Sequence, residues 1–540
     1  MPINLGIVVQ EERGPDQSIL RLPAARTAFV GRTLRGPVEL PIPIASFADF
    51  QRVFGGLWQP SLLGYAVEQF FDNGGREALI VRVVNGARSA TLTLPAGNAG
   101  RFVLRAIRPG TREFLRACVD YDNIPPSNTD EFNLTIQRVR AQGAPHVEDQ
   151  EIFRNLSVAP DSPRYLPTAL TESEMIRADG AVPAQRPDCT IDAASGLATG
   201  YLYSHADGDD GGPLTDYDLI GSAAERSGMF ALEHADYFNF LCVPPIARDQ
   251  DVGASALLVA ARYCRARRAL LVVDPPQGWH TADEALRGFG DFGLNSEDAL
   301  MYFPRILAHD KLRGRFETFA PCGAAAGLLA RADGQLAVWE SVEAEEPVLR
   351  PGYRPACLVT ERQRAKLAAF GVNTLQSVRT AQPSPLRPRT LAAGSAGAAD
   401  WRYLSARRLS LFIVNSIERG TRWVAVAQPH TQVADLVDSQ VRSFLEALRQ
   451  AGTFAGRSAD EAYFVICDWR VNDPAAPNPR RFQLLIGFAA ARLGEFHCYR
   501  ITHALTGSEV QAVTLNRLND LRYSPAEIEW AERIANQLHI

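Results

Sequence analysis

The sequence predicts an α/β protein: mixed sheets with flanking helices, an inserted β-rich domain and extended terminal arms. Three patterns lead there. Apolar strand runs alternate with amphipathic helix patterns in residues 21–95, 216–400 and 401–505. The helical period fades in residues 96–215, where short apolar runs are separated by Pro, Gly, Asn and Asp clusters. The first apolar run, Asn4 to Val9, is cut off from the rest by the polar stretch Gln10 to Ser18. At 540 residues the chain exceeds one core, so two to four domains are expected.

An isolated strand in the arm 1–20 needs a sheet edge for its backbone groups. That edge belongs either to its own chain or to another copy, the second being strand donation by Leu5, Gly6, Ile7, Val8 and Val9. The body then opens with a strand from Thr27 to Val30 and a turn at Arg35-Gly36-Pro37. Ser46 caps a helix with Phe47, Phe50, Val53 and Phe54 on one face. A second helix turns Tyr65, Ala66, Phe70 and Phe71 inward, stops at Asn73-Gly74-Gly75 and delivers a strand from Ala78 to Val84.

In the insert, strands are expected at Phe102 to Ile107, Phe114 to Val119 and Phe132 to Val139. Its end, with Asp207, Asp209 and Asp210, is acidic enough to suggest calcium. Gly211-Gly212 follow and no glutamate closes the loop, so an EF-hand fails and a flexible linker is expected. Beyond it, strand Phe238 to Val243, helix Ala254 to Arg265 and buried strand Ala269 to Val273 imply a parallel crossover. Gly288-Phe289-Gly290-Asp291-Phe292-Gly293 matches GxGxxG literally, but a helical pattern precedes it where a nucleotide loop needs a strand. The small residues at 323–327 suit close helix packing.

In the C-terminal domain 401–505, apolar runs Leu409 to Val414 and Trp423 to Ala427 read as strands. Val433, Leu436, Val437, Val441, Phe444, Leu445 and Leu448 form a helical stripe that Gly452 stops. Strands follow at Tyr463 to Cys467, Phe482 to Phe488 and Phe496 to Ile501. The extension 506–540 offers a further strand, 510–515, and an amphipathic helix carrying Ile528, Trp530, Ala531, Ile534 and Leu538.

Hydrophobic content of 46% with 22% charged residues is ordinary for a globular protein, and a net charge of −5 argues against a nucleic-acid binder. The only lysines are Lys311 and Lys366. Codon bias explains this most simply; arginine's bidentate pairing with carboxylates at subunit contacts is the functional alternative. Eight cysteines lie far apart, without metal-ligand spacing, and read as small core residues suited to a reducing cytoplasm. The N-terminus lacks a signal-peptide pattern and no window of 18 apolar residues exists, so no membrane insertion is expected.

Two blocks some 400 residues apart resemble contractile tail sheath proteins, found in phages, tailocins and extracellular injection systems. In the first, Val30-Gly31, Arg35-Gly36-Pro37, Phe54-Gly55-Gly56 and Phe70-Phe71-Asp72-Asn73-Gly74-Gly75 carry the likeness. In the second it rests on Arg407-Arg408-Leu409, Ser416-Ile417-Glu418 before Trp423-Val424, and Gly452-Thr453-Phe454-Ala455-Gly456 before Glu461-Ala462-Tyr463. The resemblance covers roughly residues 20–505. It implies a structural subunit that polymerises in stacked hexameric rings around an inner tube and contracts to drive the tube through a target envelope. Implied partners are further copies of the chain, an inner tube protein, and baseplate and cap proteins, with no cofactor and no metal. Implied localisation is the bacterial cytoplasm during assembly, then a phage tail or tail-like particle, outside the cell after release. The last strand would help form an interlocked sheet between subunits. That strand is Phe496, His497, Cys498, Tyr499, Arg500 and Ile501, or else 510–515. Arg407, Arg408 and Glu418 are candidate interface charges.

Two other readings stand beside it: a non-contracting oligomeric scaffold, and an α/β enzyme. The sequence has no GxSxG, P-loop or HExxH. Asp274 at a strand end with His280 nearby is the best acid–base pair, but Pro275-Pro276 simply terminate a strand and no nucleophile accompanies them. The expectation is therefore no enzymatic activity.

Overall fold

The computed structural model describes residues 18–97, 100–190, 200–334, 337–338, 348–377, 387–394, 401–427, 431–468, 471–472, 481–490 and 496–513. The body opens with β1 (Thr27–Gly31), β2 (Ile42–Ile44), α1 (Phe47–Phe54), α2 (Leu63–Asp72) and β3 (Ala78–Arg82). Ser46 accepts the Asp49 N–H to start α1, and Gly55, left-handed at φ 89°, ends it.

The insert supplies β4 (Thr91–Ala96), β5 (Gly100–Ala106), β6 (Phe114–Asp120), β7 (Glu131–Val139), β8 (Val147–Ser157), α3 (Leu166–Ala169), β9 (Ile176–Asp179) and β10 (Leu202–Tyr203). These make two antiparallel sheets, ordered β10-β6-β7-β8 and β4-β5-β9. Both turn residues such as Leu104, Phe132 and Leu134 into one separate core. The acidic end of the insert is pinned, not a loose linker. Asp207 accepts the Thr91 N–H, Asp210 accepts the Thr111 N–H, both at 2.8 Å, and Arg32 donates to the Gly211 carbonyl at 2.6 Å. Short carboxylates that satisfy distant backbone donors fix a loop whose composition alone reads as flexible.

The chain returns to the body as α4 (Asp216–Ile220), β11 (Phe240–Cys242), α5 (Ala254–Arg267), β12 (Leu270–Val273), α6 (Ala282–Phe292) and β13 (Ala299–Phe303). Then come β14 (Ile306–Asp310), β15 (Arg315–Phe319), α7 (Cys322–Asp333), β16 (Tyr353–Pro355), α8 (Glu361–Ala369) and β17 (Val372–Thr374). The central sheet runs β17-β13-β12-β11-β1-β3-β2, parallel except for β2. Its inner strands β11, β12 and β13 are continuous apolar runs because both faces are covered. Phe29, Phe70 and Ala325 pack on one face; Val30, Cys264 and Leu367 pack on the other. On the first face α2 and α7 touch backbone to backbone: a Cβ on Gly323 would lie 1.9 Å from the Ala66 carbonyl oxygen. The GxGxxG stretch lies in α6 and its cap, Gly293 being left-handed at φ 72°.

The C-terminal unit comprises α9 (Leu404–Gly420), a 3-10 turn (Arg422–Ala425), α10 (Thr431–Gln450), α11 (Ala459–Ala462), β18 (Tyr463–Ile466), β19 (Phe482–Phe488), β20 (His497–Ala504) and β21 (Gly507–Val513). Here the structure corrects the sequence reading. Leu409 to Val414 is the middle of α9, and Trp423 to Ala427 is mostly a 3-10 turn. The cause is burial all round: Leu404 and Leu411 enter the body core, while Leu409, Phe412, Ile413 and Ile417 enter the C-terminal core. A helix wedged between two cores loses the one-sided stripe that would separate it from a buried strand. The helix 431–450 and the stop at Gly452, φ 78°, follow the sequence pattern.

Candidate assembly surface

β18, β19, β20 and β21 form one antiparallel sheet in that order. The expected exchange strand, Phe496 to Ile501, falls in β20 and its approach, and β20 is interior. It pairs with β19 from Phe488↔His497 to Phe482↔His503, and with β21 from Cys498↔Val513 to Ala504↔Gly507. β21 pairs on one side only, its other edge being unpaired among the described residues. A tight turn at Leu505-Thr506 joins the two, with Leu505 exposed and Gly507 at φ 134°.

A buried polar chain lies beneath this hairpin. Thr421 Oγ1 sits 2.7 Å from the Ile417 carbonyl and 2.8 Å from His503 Nε2, while Ser508 Oγ sits 2.7 Å from His503 Nδ1. Because Thr421 donates to Ile417, it accepts from His503; the imidazole therefore carries its proton on Nε2, and Nδ1 accepts from Ser508. Burial first, then the Arg422 and Arg268 guanidiniums, push the His503 pKa down to about 4 against the opposing pull of Glu418.

Leu5, Gly6, Ile7, Val8 and Val9 lie outside the described residues. The first described residues after them, Ile19 to Leu22, are seated on the C-terminal unit. Ile19 is buried against Gly420, where a Cβ would come within 2.8 Å of its side chain. The Leu22 N–H reaches Ser416 Oγ at 3.4 Å.

The three candidate interface charges are buried and paired within the chain. Arg407 Nη2 lies 2.5 Å from Asp298 Oδ1 and its guanidinium stacks 4.8 Å from the Trp401 ring centroid. Asp298, fully buried, also accepts from Arg265 Nε at 2.9 Å. Arg408 pairs with Asp333 and lies over Phe240. Glu418 receives Arg268 at 3.0 Å and Arg422 at 2.7 Å. Burial alone would raise the Glu418 carboxyl, but the two guanidiniums outweigh it and hold it below the ordinary range. The chemistry is that of a joint: each pair ties α9 to the body or to the turn that follows it. Sequence spacing gave no sign of Asp298, whose partners lie 33 and 109 residues away.

Asp274 and His280 are not brought together as an acid–base pair. Asp274 Oδ1 accepts the Cys322 N–H at 2.7 Å, at the start of α7, and burial raises its pKa to about 6. His280 is exposed, and its backbone N–H joins the Glu284 capping box of α6. Among the described residues no group of His, Cys, Asp and Glu could hold a metal, and no helix is long and apolar enough to cross a membrane. The eight cysteines are unbridged, and five of them, Cys242, Cys264, Cys322, Cys467 and Cys498, are buried.

No family model and no curated protein matches the sequence. Solved structures do. The chain is similar to a sheath tail protein from Listeria innocua, with TM-score 0.58 and 12% identity over 89% of this chain and 95% of that one. It is also similar to the sheath of the extracellular contractile injection system PVC, in the contracted state, with TM-score 0.50 and 15% identity over 92% and 96% of the two chains. The mixed α/β body, the antiparallel insert and the C-terminal helix-and-sheet unit together are the fold of contractile tail sheath proteins.

Proposed function

We propose that this chain is the structural subunit of a contractile sheath: copies stack in six-membered rings around an inner tube, and the lattice shortens to drive the tube through a target envelope. The observation that carries this reading is the pairing of a sheath fold over nine-tenths of the chain with a last described strand held by one ladder among the described residues. In the assembly β21 opens at Leu505-Thr506 and fills the same place in a neighbour's sheet. Nothing is lost in the exchange except the turn, since every contact is remade with another copy. β20 is a poorer candidate because its removal breaks two ladders. Leu5 to Val9 of a further copy adds to a remaining open edge by backbone pairing. Such ladders persist while the bodies rotate, so the lattice shortens without coming apart.

The partners in this reading are further copies of the chain, the inner tube protein, and baseplate and cap proteins. Assembly takes place in the bacterial cytoplasm, and the chain has no catalytic role. The test is deletion of residues 1–18. The truncated protein is expected to remain folded by circular dichroism and to form no tubes in negative-stain micrographs. Normal tubes from it would overturn the role of the arm.

A further inference from the structure

The outer face of α5 carries an apolar groove that no described element fills. It has a volume of about 470 Å³ and is lined by Leu258, Val259, Ala261 and Leu294, with Arg262 and Arg265 along its rim. Leu258 is 54% exposed although it lies inside the helix, one turn from its start. Arg265 is paired with Asp298, whereas exposed Arg262 pairs with no acid among the described residues. The surface therefore offers an apolar slot beside an uncompensated cation.

A relay of contacts links the end of the described chain to this slot. Val513 pairs with Cys498, and the next residue, Tyr499, has its hydroxyl 3.4 Å from Arg407. Arg407 holds Asp298, Asp298 holds Arg265, and Arg265 lines the groove. From Val513, the ten residues 514–523 reach at most about 35 Å when extended, ample for that path. The sequence beyond them has the signature of a helix start: Ser524, then Pro525, with Glu527 three residues after the serine. Ile528, Ala531, Ile534, Ala535 and Leu538 recur on one side, and Glu527, Glu529 and Glu532 outnumber the single Arg533. Shape class, charge sign and reach all agree.

We propose that residues 524–538 dock as an amphipathic helix on the α5 groove of the body whose sheet holds their own β21, which in the free subunit is the same chain. Apolar side chains of the tail cover Leu258, and its acidic excess compensates Arg262. The docking is independent of contraction, because it follows β21 wherever β21 sits.

Hydrogen exchange on the full-length soluble subunit, read by mass spectrometry, tests this. Peptides covering 526–538 are expected to be protected in the parent. Leu258→Glu and Arg262→Glu, both at exposed positions, are expected to speed that exchange at least about tenfold, the signature of a lost local closure, while the subunit remains folded by circular dichroism. A tail that exchanges at unstructured rates in the parent would overturn the proposal, as would protection indifferent to both substitutions. Protection that disappears on dilution would mean that a second copy supplies the tail, and would overturn the same-chain docking.

Discussion

Ser508, half-buried, and His503, fully buried, are joined by a hydrogen bond of 2.7 Å that fastens the last described strand to the one before it. The contact places an ionisable ring inside the hairpin proposed to exchange between copies. It also links that hairpin through Thr421 to the end of α9, and so to the joint with the body.

His503 makes stability depend on acid. Its folded pKa is about 4, below the 6.5 of the free side chain. The unfolded chain thus takes up the proton first, and this contribution, complete above pH 6.5, is lost as pH falls toward 4. A loss of about 2 kcal/mol is expected between pH 8 and pH 5. Urea unfolding of the parent and His503→Gln at both values checks it, the variant losing that much less.

Asp298 balances two guanidiniums in a dry setting. Asp298→Ala leaves Arg407 buried without its carboxylate and should cost about 3–5 kcal/mol. Thermal unfolding reads the loss, and Glu297→Ala, at a more exposed and more distant acid, should show far less.

Gly323→Ala forces a methyl against the Ala66 carbonyl where α2 and α7 touch. Neither backbone can yield locally, so a destabilisation at or above about 3 kcal/mol is expected in denaturant titration.

Asp274 and His280 distinguish a structural from a catalytic reading. Asp274→Ala removes the acceptor at the start of α7 and should cost about 1–2 kcal/mol. His280→Ala, at an exposed side chain, should change stability by no more than about 0.5 kcal/mol. Chemical denaturation of both variants decides.

Local signals in the sequence placed most elements, because their causes are local. Ser46 with Asp49, Gly55 and Gly452 act within a turn of the helices they bound, and β19 spans 482–488 as its apolar run indicates. α9 was illegible as a helix because two different cores absorb its opposite sides, which erases the periodicity. The pinned loop at Asp207 to Asp210 and the hub at Asp298 depend on partners brought by the fold, and no window of sequence contains them. For the candidate site, the apolar run at 496–501 revealed a strand but not which of the last two described strands is the outer one. That depends on the turn at Leu505-Thr506 closing a hairpin.

Contraction itself is the central claim, and cryo-electron microscopy of tubes grown from the purified protein with its inner tube measures it directly. Two populations sharing one subunit fold are expected, differing in axial rise and twist, with β21 seated in the sheet of an adjacent copy in both. A single fixed spacing under every condition, or closed subunits each keeping its own β21, would contradict the account.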